Sequence, residues 1–136
     1  MAVAQVIESP GFRTPLDVRY VGGERPYEVI APLKFYSASF RGLFVVKVGY
    51  RTDFASIPRW LWPVMPRDGA WARAAVVHDA AYDGELETDH GEPVRAVKFV
   101  ADHLFLEAMK ADGVSDFTAG LMHAAVVRYG QKRQIP

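Results

Sequence analysis

Residues 76 to 82 read Val-Val-His-Asp-Ala-Ala-Tyr, and Asp102 follows inside Val-Ala-Asp-His-Leu-Phe-Leu. Placed on a helix at about 100° per residue, positions 70 to 83 gather Trp71, Ala74, Ala75, His78 and Tyr82 on one stripe, with Asp79 at its edge. A second helix over 94 to 110 gathers Val97, Val100, Ala101, Leu104, Phe105 and Ala108, with Asp102 at the border of that face. If the two faces pack antiparallel, an imidazole and a carboxylate meet in a mostly apolar interface. A buried carboxylate needs a partner, and a neutral histidine oriented by one is a ready general base. The same groups also suit a purely structural network, with Tyr82 donating to Asp102. Both readings stay open on the residues alone.

A second constellation lies upstream. Asp53 and Ser56 fall in Thr-Asp-Phe-Ala-Ser-Ile-Pro-Arg, directly after a strand-like run. Asp53 and Asp79, with backbone carbonyls, form a donor set for a hard cation such as Ca²⁺ or another divalent ion. Thr52, Asp53 and Ser56 can equally cap the turn with their own short side chains. Ser56, His78 and Asp102 spell a nucleophile, base and acid, but Ser56 lacks the glycine-flanked elbow that usually exposes such a serine. A metal phosphohydrolase built on the His-Asp pair would need a further upstream histidine, and none precedes His78. His90, His103 and His123 have no spacing that points to a shared metal.

The elements that must position these groups fall into two grammars. Residues 12 to 53 are rich in β-branched and aromatic side chains, in the runs 18–21, 27–36 and 43–50, punctuated by Gly22-Gly23 and Arg41-Gly42. Pro26 and Pro32 suit strand starts or edges. They predict a small antiparallel sheet of three or four strands. From about residue 70 to 130 three helices are expected. Asp68 is a candidate N-cap of the first and Gly84 its stop; Pro93 suits the first turn of the second and Gly113 its end; Ser115 caps the third. The acidic loop from Asp83 to Glu92 reads as solvated, or as a segment that could lend a ligand to a cation. The fold class is therefore α+β, one domain over residues 1 to 136, with sheet first and helices after. A joint at 54 to 69, rich in Pro and Trp, links the halves; Trp60 and Trp62 are expected to plug their interface or, if exposed, to form a partner-docking surface.

Composition bounds the partners. Of 136 residues half are hydrophobic, enough for one core, and 16 basic residues balance 16 acidic ones, which gives no electrostatic case for nucleic acid. The basic stretch 128–133 reads as a solvated tail. The absence of cysteine excludes disulfides and thiolate metal sites. Neither a secretory signal nor a transmembrane segment is expected from the apolar runs.

Thr52-Asp-Phe-Ala-Ser-Ile-Pro-Arg59, Ala74-Ala-Val-Val-His-Asp-Ala-Ala-Tyr82 and Ala101-Asp-His-Leu-Phe-Leu-Glu-Ala-Met109 together resemble domain-of-unknown-function family 1353, small proteins of tailed phages and prophages, over roughly residues 30 to 130. That resemblance implies a phage or prophage protein, tail- or virion-associated, with other phage structural proteins as partners. It would reside in the host cytoplasm during assembly and then in the virion. More weakly, His-Asp-x-x-Tyr followed by Ala-Asp-x-x-Phe resembles the active-site helices of calcium-dependent phospholipase A-two enzymes. This second resemblance implies His78 as water-activating base, Asp102 as its orienter, Tyr82 bonded to Asp102, and Asp79 as a Ca²⁺ ligand in an ester or amide hydrolase. The glycine-rich calcium loop of those enzymes has no counterpart, since Asp53 to Arg67 contains no glycine.

Overall fold

A computed structural model describes residues 8–54, 58–64 and 69–129. Ser56 and Asp68, singled out above as a nucleophile and an N-cap, lie outside the described residues. The strand-rich half forms two antiparallel sheets. One pairs β1 (Gly11–Phe12), β4 (Leu33–Ser37), β5 (Gly42–Val46) and β7 (Leu86–Thr88) in the order β1-β4-β5-β7; the other pairs β2 (Val18–Tyr20), β3 (Tyr27–Val29) and β6 (Arg51–Thr52) in the order β2-β3-β6. The helices are α1 (Ala72–Tyr82), α2 (Lys98–Ala111) and α3 (Asp116–Tyr129), so the α+β class holds.

The run 27–36 does not stay in one strand. Val29 ends β3, Pro32 breaks the ladder, and β4 starts one residue later in the other sheet, because proline has no N–H to donate. Within β4, Leu33, Phe35 and Ser37 are buried while Lys34 and Tyr36 are half-buried, the period of two expected for a sheet with one covered face. The acidic loop after α1 contains a strand: Leu86, Glu87 and Thr88 face Val46, Val45 and Phe44, so a buried leucine brings two carboxyl-flanked positions onto the sheet edge. Pro93 consequently does not open α2. It bridges to Glu87, Val94 donates to the Leu86 carbonyl, and the helix begins five residues later at Lys98.

Helix α1 is buried from Ala74 through Tyr82 and packs chiefly against α2, which in turn packs against α3. Four alanines (Ala74, Ala75, Ala80, Ala81) let neighbouring elements approach on all sides. Its end is fixed by Gly84 at φ +72°, with Gly84 N–H donating to Ala81 and Glu85 N–H to Ala80. Gly113 closes α2 the same way, through bonds to Lys110 and, from Val114, to Met109. In the joint, Leu61 is the plug at 1% exposure; Trp60 and Trp62, at 61% and 38% exposed, do not plug the interface and take the exposed alternative. The residues form a short 3₁₀ turn, Arg59–Val64, whose tight pitch turns Leu61 inward and leaves its neighbours outside.

Candidate functional site

A helix enclosed on every side cannot carry ionisable groups unless each is paired. Helix α1 and its C-cap bury four, in two stripes with the i, i+4 spacing: His78 with Tyr82, and Asp79 with Asp83. The first stripe faces α2. His78 Nε2 lies 2.8 Å from Asp102 Oδ1, and Tyr82 donates its hydroxyl to the same oxygen at 2.6 Å. The second carboxylate oxygen of Asp102 accepts from Lys98 Nζ at 2.7 Å. Lys98 completes its donor set on the carbonyls of Val126 and Val127, at 2.8 and 3.0 Å. These belong to the last turn of α3, where carbonyls have no helical partner. A cation in the first turn of α2 opposes that helix's own dipole, but here it serves the negative end of α3.

The electrostatics follow from burial and these contacts. Burial pushes the Asp102 carboxyl up, but hydrogen bonds from His78, Lys98 and Tyr82 outweigh it and hold the group below its ordinary range, so it is ionised. Burial lowers the His78 imidazole below its ordinary value, against the opposing pull of Asp102. His78 is therefore neutral, and with an anion at Nε2 its proton sits on that nitrogen, the opposite nitrogen being the acceptor. Its ring stacks on Phe105 with centroids 4.6 Å apart and leans on Tyr82 at 4.3 Å, which fixes its plane. Burial and the Asp102 charge raise the Tyr82 hydroxyl far above its usual value, so it remains a donor.

The second stripe faces the three-stranded sheet. Asp79 Oδ2 accepts from Tyr50 OH at 2.9 Å and from the Thr52 hydroxyl. The Tyr50 hydroxyl also lies 2.7 Å from Asp83 Oδ2, so a single phenolic proton serves two carboxylates. Burial first, then both negative charges, raise the Tyr50 hydroxyl far beyond its ordinary value. Arg25 grips Asp83 with both terminal nitrogens, at 2.6 and 3.3 Å. Thr52 Oγ1 in turn accepts from Phe54 N–H at 3.0 Å, and Phe54 sits at φ +59°, a costly conformation for an aromatic residue.

The structure thus joins His78, Tyr82 and Asp102, and separates them from Asp79, which belongs to the network on the other side of α1. Asp53 lies on the wall of a different space, a cavity of about 470 Å³ bordered by Tyr27, Phe54, Arg59, Trp62 and Trp71; His78, Asp79 and Asp102 do not line it. Among the described residues no three His, Asp or Glu side chains converge on a point, and hydroxyl donors occupy Asp79 Oδ2. Sequence reasoning missed Lys98, Asp83, Tyr50, Thr52 and Arg25 as members of these networks. Lys98 and Asp83 carry a local signal, each standing four residues from a chosen aspartate; Tyr50, Thr52 and Arg25 reach α1 only through sheet pairing that no spacing reveals.

Among known proteins, the chain is 33% identical over 87 residues to "Uncharacterized protein y4jT" of Sinorhizobium fredii (strain NBRC 101917 / NGR234). The match covers 62% of this chain and 23% of that protein, so the chain spans less than a quarter of that relative's length. No solved structure matches. No helix among the described residues is long and apolar enough to cross a membrane. The family described as "Protein of unknown function (DUF1353)" matches residues 27–126, a span that holds both faces of α1 with Tyr50, Thr52, Lys98 and Asp102 but not Arg25, and the chain belongs to that family.

Proposed function

We propose that this is a phage- or prophage-encoded structural or accessory protein, tail- or virion-associated, in which the polar groups of α1 hold the fold together. One observation carries the reading: His78 and Asp79 have no exposed surface, and side chains of other elements of the same chain bond to each. Groups so enclosed specify one packing of helix on helix and helix on sheet, since any slip leaves a charge unpaired. The outer surface is then what meets other phage proteins, in the host cytoplasm and afterwards in the particle. The test has two arms. Particles released by induction of the parent prophage are purified and probed for the protein. In parallel, His78→Gln is measured for melting temperature and for incorporation. Presence in particles, with His78→Gln lowering stability and incorporation together, supports the reading; absence from particles refutes the virion assignment.

A second reading, an ester or amide hydrolase, is favoured by the orientation of His78. Its Nε2 is committed to an ionised Asp102 that Tyr82 also holds, as the resemblance to phospholipase A-two implies for a base. In that reading the opposite ring nitrogen takes a proton from water and Asp102 stabilises the imidazolium that forms. A breathing motion must admit the substrate. Hydrolysis of fluorogenic esters or phosphatidylcholine vesicles, lost in His78→Asn with the melting temperature held, would establish it. No turnover by the wild-type chain with or without added Ca²⁺ would dismiss it.

A further inference from the structure

Helix α3 is apolar on two opposite sides. Ala119, Met122, Ala125 and Val126 point into the core. At about 100° per residue, Phe117, Gly120, Leu121, Ala124 and Val127 form a second stripe on the far side. That stripe is exposed along its length: Phe117 to 83%, Leu121 to 46% and Val127 to 50%. A β-carbon built on Gly120 meets nothing within 4 Å. A helix apolar all round belongs in an interior, and a contiguous apolar stripe left in water marks a contact surface.

We infer that this face binds a second copy of the chain, with the two α3 helices antiparallel across a two-fold axis near position 122. The charges at its ends identify the occupant. Asp116 opens the helix and Arg128 stands in its last turn, both exposed, about 18 Å apart at 1.5 Å per residue. Among the described residues neither forms an ion pair within the chain. About the axis, Gly120 faces Ala124, Phe117 faces Val127, and Asp116 faces Arg128, each pairing occurring twice. Small residues at the centre let the two backbones approach, aromatic and branched side chains flank them, and opposite charges close both ends. Such a surface is its own complement, as a two-fold interface requires.

The full chain is examined by sedimentation equilibrium over a wide concentration range, with circular dichroism and melting temperature confirming that every variant folds. The wild type should be dimeric, and Gly120→Glu should abolish association. Asp116→Arg and Arg128→Asp should each weaken it roughly tenfold or more, because two like-charge pairs replace two opposite ones. The double swap should restore it, and an equimolar mixture of the two single swaps should associate more tightly than either alone. Because the swapped residues lie on the surface, these arms remain readable even if Gly120→Glu fails to fold. A wild-type chain that stays monomeric throughout overturns the inference, as does a dimer unmoved by these changes. A dimer that is lost in Gly120→Glu, but whose association after the single charge swaps is not restored by the double swap, overturns the antiparallel register.

Discussion

Asp102→Asn tests the electrostatic account of the α1–α2 interface most directly. The carboxylate accepts three hydrogen bonds, from His78, Tyr82 and Lys98, and is nearly fully buried. An asparagine has the same shape but one acceptor oxygen. With that oxygen on His78 and Tyr82, its NH₂ points at the Lys98 ammonium, donor against cation. Hydrogen bonds to a charged group contribute about 1.5–3 kcal/mol each, and breaking a buried pair costs about 3–5 kcal/mol. Lys98 keeps the Val126 and Val127 carbonyls and some contact with water, which favours the lower end of that range. The expected loss is about 3 kcal/mol in urea unfolding, a large share of the roughly 5–15 kcal/mol typical of a domain. Lys98→Met alone should cost about 1–2 kcal/mol through the lost charge and the α3 carbonyls. The double variant should then fall short of the sum by about 1–2 kcal/mol, because removing the ammonium relieves its conflict with the introduced amide. A loss below about 0.5 kcal/mol for Asp102→Asn, or strict additivity in the cycle, would refute the reasoning.

Three further outcomes are expected. The folded-state values of His78 and Asp102 both lie below their ordinary ones, so the unfolded chain binds more protons and acid destabilises the protein in two stages. As pH falls below the ordinary histidine value of 6.5, His78 alone should remove up to about 1.4 kcal/mol per pH unit, and Asp102 adds its loss only below 3.8. His123, half-buried and lowered by burial, acts with the same sign; urea midpoints measured from neutral to acid pH should therefore fall less steeply in His78→Gln, though not flatten. Tyr50→Phe removes the one hydroxyl between Asp79 and Asp83 and should cost about 2 kcal/mol, also read in urea; a neutral result would show that the two carboxylates do not depend on it. Arg41 sits exposed at φ +51°, so Arg41→Gly relieves about 1 kcal/mol of backbone strain, offset in part by a more flexible unfolded chain, and a rise in melting temperature should result.

How much of this is legible in the sequence depends on the range of the signal. His78, Tyr82 and Asp102 are visible because polar residues interrupt apolar stripes at helical period, and the structure brings all three together. The helix stops at Gly84 and Gly113 are visible because left-handed termini favour glycine. Strand β7 is not, because a single leucine among carboxylates has too little pattern to stand against a loop; the sheet edge, not the local sequence, makes it a strand. The start of α2 is hidden for the same reason, since Pro93 is engaged with β7. Asp79 reads as a metal ligand beside Asp53; the hydroxyls that donate to it, from Tyr50 and Thr52, arrive from the turn before β6 and from β6 itself. Pairings of that separation depend on the register of the second sheet, and nothing near residue 79 encodes it.

Lys98 also sets how the molecule comes apart. Its one ammonium bonds both the carboxylate at the α1–α2 contact and the terminal carbonyls of α3, so fraying α3 removes two acceptors from that ammonium and lets water reach the ion pair at the centre of the helical half. Loosening at the chain's outer helix is thereby coupled to the interior. The three helices should open as one cooperative unit, so their slowest amide protons should exchange at a common free energy, and a partial state with α3 detached should stay too scarce to be proteolysed or to aggregate.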